Sequence, residues 1–189
     1  MKLLIKFIEK NISGKKVLGL FIFTNLVYTF MLTVTIPKTM EFSSGIKLLD
    51  MMPTGYDFNY VNELFTSLGE NGRSTYLTNQ IPVDMIYPLL FGISYCLLLG
   101  HLLKRMNILN SRYIYLCLIP IVAGIADYFE NIGIIVMLTN YPELTEVTVN
   151  TTSFFSLIKS ISTSGYFITL IVMLILLGIK FMKRKKLKK

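Results

Sequence analysis

Four stretches of this chain, at about 17–37, 81–103, 113–138 and 154–182, stay apolar for roughly twenty residues or more. Twenty such residues coil into a helix about 30 Å long, the thickness of a bilayer's hydrocarbon layer. With 53% hydrophobic and only 16% charged residues in 189, little is left for a second folded unit. The pattern predicts an all-α polytopic membrane protein with one four-transmembrane-helix bundle over 17–182. A basic amphipathic segment, 1–16, precedes the bundle, and a polybasic tail, 183–189, follows it.

The net charge of +8 invites a nucleic-acid reading, which its distribution opposes. Lys2, Lys6, Lys10, Lys15 and Lys16 precede the first run, Lys104, Arg105 and Arg112 separate the second from the third, and seven basic residues lie in 180–189. The other two connections carry the acids Glu41, Asp50, Asp57, Glu63, Glu70, Glu143 and Glu146. This alternation predicts both termini on the cytoplasmic side, in the plasma membrane if the source is prokaryotic. The expected partners are membrane lipids rather than nucleic acid. Cys96 and Cys117 both fall within apolar runs, so no disulfide framework is implied. His101 is the sole histidine. No metal motif or phosphate-cradling loop is present, and no cofactor is expected.

The one long connection, 38–80, is not featureless. Asp57 or Asn59 can cap a helix near 58–68, with Gly69 or Gly72 closing it. Val61, Leu64, Phe65 and Leu68 then form a single apolar stripe. An amphipathic helix on the outer interface, covering the mouth of the bundle, is the expectation. In the second span Pro88 removes a backbone donor, and the carbonyl it frees needs a partner inside the protein.

The third span carries the informative stretch. Asp127, Glu130 and Asn131 stand at i, i+3 and i+4, on one face of a helix. A carboxyl at membrane depth costs about 2.5 kcal/mol or more unless paired, protonated or facing a wet cavity. Counting at 1.5 Å per residue from each span's basic end puts Asp127 and Glu130 at about 22 and 27 Å, Asp84 at about 30 Å and Lys159 at about 31 Å. Charges from three spans therefore gather near the outer boundary. The expected site has Asp127 as the proton-carrying catalytic acid and Glu130 as its partner or base. Asn131 and Asp84 would orient a ligand, Lys159 and Arg73 would hold an anionic group, and Tyr56, Tyr87 and Tyr128 would form amphipathic walls.

Three functions fit these residues. One is binding or processing of a lipid or small amphipathic molecule by this carboxylate/lysine site. Another is an accessory or assembly subunit mating its polar stripe to a partner membrane protein. The third is an oligomeric ion- or proton-coupled transporter, which the plain apolar stretch 167–179, with only Thr169 and Gly178, disfavours. No Ser-His-Asp arrangement can be assembled in the outer half.

Overall fold

The computed structural model describes residues 2–186, with side chains over 5–183. Met1, residues 187–189 and the tail's side chains beyond Lys183 lie outside the described residues. The described chain is helical throughout, with no strand, and four of its helical runs are long and apolar enough to span a membrane: Gly14–Met40, Phe58–Met106, Arg112–Asn140 and Glu146–Lys183.

In chain order the elements are α1 (Lys2–Asn11), α2 (Gly14–Phe30), α3 (Ile36–Met40), α4 (Phe58–Thr75), α5 (Ile81–Asp84), α6 (Tyr87–Met106), α7 (Ile119–Asn140) and α8 (Glu146–Lys186). Proline explains most of the joints. A helical proline lacks its N–H and crowds the carbonyl four residues back, so the preceding turn must widen, tighten or break. A π turn, Met31–Thr35, precedes Pro37, and another, Tyr76–Gln80, precedes Pro82. Residues 85–86 form a turn before Pro88, and a 3-10 segment, Arg112–Leu118, precedes Pro120.

The second span consequently differs from the sequence expectation. Helix does not resume near residue 81; it runs from Phe58 almost unbroken to Met106. Residues 70–80 are mostly polar, so no apolar period announces them. Asp57 caps α4, its Oδ1 accepting from the Tyr60 N–H at 2.8 Å. Gly69 interrupts α4 with φ 60° and ψ −174°, a backbone state that glycine adopts freely. Arg73 repairs the break: its Nη1 donates to the Phe65 carbonyl at 2.8 Å, and its guanidinium lies 4.3 Å from the centre of the Tyr141 ring.

α2 packs on α6, α6 on α7, and α7 along α8. Gly124 lets α6 and α7 touch, since a Cβ there would stand 2.6 Å from the Pro88 carbonyl oxygen. One core cluster fills the end where the basic residues collect, joining Ile8, Ile12 and Val17 to Tyr95, Leu99, Leu103, Ile114 and Tyr166. There Lys180 Nζ donates to the Met106 carbonyl at 2.8 Å, and His101 Nδ1 lies 3.0 Å from the Ile12 carbonyl. At the other end the α4 stripe is buried within the protein: Val61, Leu64, Phe65 and Leu68 share a core with Leu48, Leu49, Ile134, Met137 and Val149. The long connection is thus a folded cap on that end of the bundle.

Candidate functional site

The polar face of α7 turns inward. Asp127, Glu130 and Asn131 are all buried, as is Asp84. Lys159 reaches across from α8 and meets two carboxyls, Asp127 Oδ1 at 3.1 Å and Glu130 Oε2. Asp127 and Glu130 are one helical turn apart, so a single ammonium spans both. α7 and α8 pack closely along this length, which is what brings the three groups together.

Asn131 resolves the consequence of Pro88. The carbonyl that proline leaves without a helical donor is the one four residues back, on Asp84. Asn131 Nδ2 donates to that oxygen at 3.1 Å. The Asp84 side chain therefore stands at a joint fixed from α7, and its Oδ2 has no hydrogen-bond partner. Glu130 Oε1 and Asn131 Oδ1 are buried without partners as well.

Beside these groups lies a cavity of about 440 Å³, within the size range of small-ligand sites. Asp50, Asp84, Asp127 and Lys159 supply its charges, and Ser160, Thr163 and Ser164 supply hydroxyls from α8. Tyr28, Met31, Leu32, Ile36, Tyr87 and Phe91 make the apolar wall. Four lining residues are exposed: Tyr28 and Leu32 on the first span, Pro53 in the connection and Ser164 on the fourth span. The cavity therefore reaches the surface beside the first span, the last span and the connection. Those two spans are the least buried: 17% and 11% of their most apolar windows are buried, against 61% and 50% for the middle two.

Asp50 is the site residue that sequence reasoning missed. It sits in a short 3-10 turn of the connection, Leu49–Met51. Its Oδ1 accepts from the Tyr76 hydroxyl at 2.7 Å and its Oδ2 from Gln80 Nε2 at 2.9 Å, while the Thr35 hydroxyl bonds Gln80 Oε1. The loop is pinned to α8 as well, with the Tyr56 N–H donating to Ser153 Oγ at 2.8 Å and Ser156 Oγ to the Met52 carbonyl at 3.2 Å. Nothing local marks Asp50 among seven acids of the connections. The only available signal was the polar pair Thr35 and Gln80 at the ends of apolar runs.

The other expected site residues divide. Tyr87 lines the cavity. Tyr56 is buried with its hydroxyl unpartnered and does not line this cavity; it borders a separate depression with Met52, Tyr60 and Ser153. Burial pushes its phenol up from its ordinary pKa, and the nearby Glu130 carboxylate adds to that. Arg73 is occupied at the Gly69 kink and so holds nothing in the cavity. Tyr128 is half-buried on α7 and does not line the cavity. No group of three metal-ligating side chains exists among the described residues.

No protein-family model, curated protein or solved structure matches this chain.

Proposed function

We propose that this is an integral membrane protein whose lateral cleft binds a lipid or small amphipathic molecule, with the polar head at the Asp84, Asp127 and Lys159 groups. The observation that carries this reading is the coincidence of a charged floor with an apolar wall that reaches the surface beside the first and fourth spans. An amphiphile entering from the acyl layer keeps its chain among apolar groups and delivers its head to buried polar ones. In this reading both termini and the basic end face the cytoplasm, and the α4 cap faces outward. The mouth, at Tyr28, Leu32 and Ser164, then lies about 18–24 Å above the basic ends of its spans, within the outer leaflet's acyl region. If the bound molecule is turned over, Asp127 is the acid beside it, with Glu130 one turn along α7 as its partner behind the cavity wall.

Binding fits better than passage. The basic half of the bundle is filled by side chains, among them Tyr95, Leu99, Cys117 and Tyr166. The cavity therefore ends blindly. The assembly-subunit reading draws on the same weakly buried first and last spans, which could face a partner as readily as lipid.

The chain has no tryptophan, which makes a direct test simple. A Leu32→Trp reporter stands at the mouth. An Ile125→Trp reporter stands at similar depth on the exposed face of α7, away from Ala123 and Asp127. Amphiphiles with brominated chains quench a nearby indole on contact. In nanodiscs, saturable quenching at Leu32→Trp, under conditions that leave Ile125→Trp unquenched, supports a site. Parallel quenching of the two reporters rejects it.

A further inference from the structure

Lys159 meets two carboxyls, Asp127 and Glu130, and two further carboxyls, Asp50 and Asp84, line the same cavity as Lys159 and Asp127. The lysine is spent between Asp127 and Glu130. Asp50 is held by two neutral donors, Tyr76 and Gln80. That leaves Asp84, 97% buried by its 3% exposure, with Oδ2 unpartnered and its side chain on the cavity wall. The unfilled requirement of this site is a positive charge, or at least a strong donor, at Asp84.

The same geometry narrows what can meet it. Arg73 is committed to the Phe65 carbonyl and the Tyr141 ring, and among the described residues Lys159 is the one basic side chain lining the cavity. A bare metal ion lacks a ligand set, since no three metal-binding side chains converge among the described residues. An anionic head would meet three lining carboxyls and a lysine already shared by two of them. Part of the apolar wall is aromatic: Tyr28 and Tyr87 stack at 5.3 Å, and Phe91 lies 5.8 Å from Tyr87. Aromatic faces attract organic cations and tolerate their alkyl substituents.

Resting on the cleft reading above, we infer that the head group is an organic cation: a long-chain ammonium amphiphile with its nitrogen facing Asp84, between Asp50 and Asp127, and its chain leaving past Tyr28 and Leu32. Ser160, Thr163 and Ser164 accept hydrogen bonds from any N–H the head carries. Asn131 acts as a positioning residue, fixing the Asp84 joint through its backbone oxygen.

The test uses the Leu32→Trp protein in zwitterionic nanodiscs, with three probes sharing one brominated chain. Their heads are a trimethylammonium, a glycerol ether and a phosphate. The Ile125→Trp protein corrects for partitioning. The ammonium probe should reach half-quenching at a mole fraction about tenfold below the phosphate probe. Adding Asp84→Asn should bring the two within about threefold. Equal or better quenching by the phosphate or the glycerol ether, confined to Leu32→Trp, overturns the cationic head and leaves the cleft standing. A preference that survives Asp84→Asn overturns the placement of the nitrogen. Parallel quenching of both reporters by all three probes overturns the inference together with the cleft. If Asp84→Asn does not fold, the comparison of heads in the reporter protein still decides.

Discussion

Replacing Lys159 by methionine removes the one cation from a buried group of acids and keeps nearly the same volume. Asp127 Oδ1 then loses a partner at 3.1 Å and Glu130 Oε2 loses its only partner, while both side chains stay buried. Removing one member of a buried ion pair typically costs about 3–5 kcal/mol, because the remaining charge is uncompensated. Two acids depend on this lysine, so the upper part of that range applies. For a chain of this size each kcal/mol moves Tm by about 2–4 °C, so a loss of about 4–5 kcal/mol places the expected drop at about 8–20 °C. The molecule carries its own probe of unfolding: Cys96 and Cys117 are free and buried, so a thiol-reactive fluorescent maleimide reports exposure of the core. The triple change Lys159→Met, Asp127→Asn and Glu130→Gln should recover most of the loss, since replacing a whole buried ionic group is often neutral or stabilising. A single variant melting within about 2 °C of the parent would refute the ionic account. So would a triple variant as weak as the single one, because the loss would then come from packing.

Three smaller perturbations separate other parts of the argument in the same melting assay. Gly124→Ala forces a Cβ against the Pro88 oxygen and should cost about 1–3 kcal/mol, whereas Gly165→Ala, with nothing within 4 Å of the added carbon, should be nearly silent. Asn131→Leu strips the Asp84 carbonyl of its donor and should cost about 1–2 kcal/mol; in a Pro88→Ala background, where a helical N–H becomes available, the cost should shrink by about 1 kcal/mol, and strict additivity would count against the proposed role of Asn131. Tyr56→Phe removes an unpartnered hydroxyl and should stay within about 0.5 kcal/mol of the parent, while Tyr76→Phe breaks the bond to Asp50 and should lose about 1 kcal/mol.

The parts of this fold visible in sequence are those written in periodicity and depth. The four spans follow from apolar length. The α4 stripe follows from Val61, Leu64, Phe65 and Leu68, and the meeting of Asp127, Glu130 and Lys159 follows from counting turns on two helices. Pro88 even announced that a carbonyl needed a donor, although not that Asn131 would supply it. What escaped is whatever depends on chain folding back over the bundle. Asp50 reaches the cavity only because the connection packs beneath α4, and no local pattern encodes that. Arg73 looked free to join the acids by height alone; its engagement depends on Gly69 breaking α4 and exposing the Phe65 oxygen. Tyr128 shares a helix with the acids, yet adjacent positions on a helix diverge by about 100°, enough to turn it out of the cavity.

The pattern of unsatisfied atoms separates a site from a strut. Six buried side chains among the described residues hold polar atoms without a hydrogen-bond partner: Tyr56, Ser67, Asp84, Ser94, Glu130 and Asn131. Four of the six belong to one neighbourhood, around Asp127 and Lys159. A group retained only to join α7 to α8 has every reason to be fully satisfied, because a half-satisfied buried network is less stable than an apolar one. Elsewhere Ser67 and Ser94 are left unpartnered, while Thr24, Thr39 and Tyr166 each find a backbone carbonyl. Four of the six collect where a cavity meets the buried acids, lined in part by the two spans least buried in the protein. Residual hydrogen-bonding capacity in that one place is what a ligand-binding bundle needs and what a plain anchor would lack.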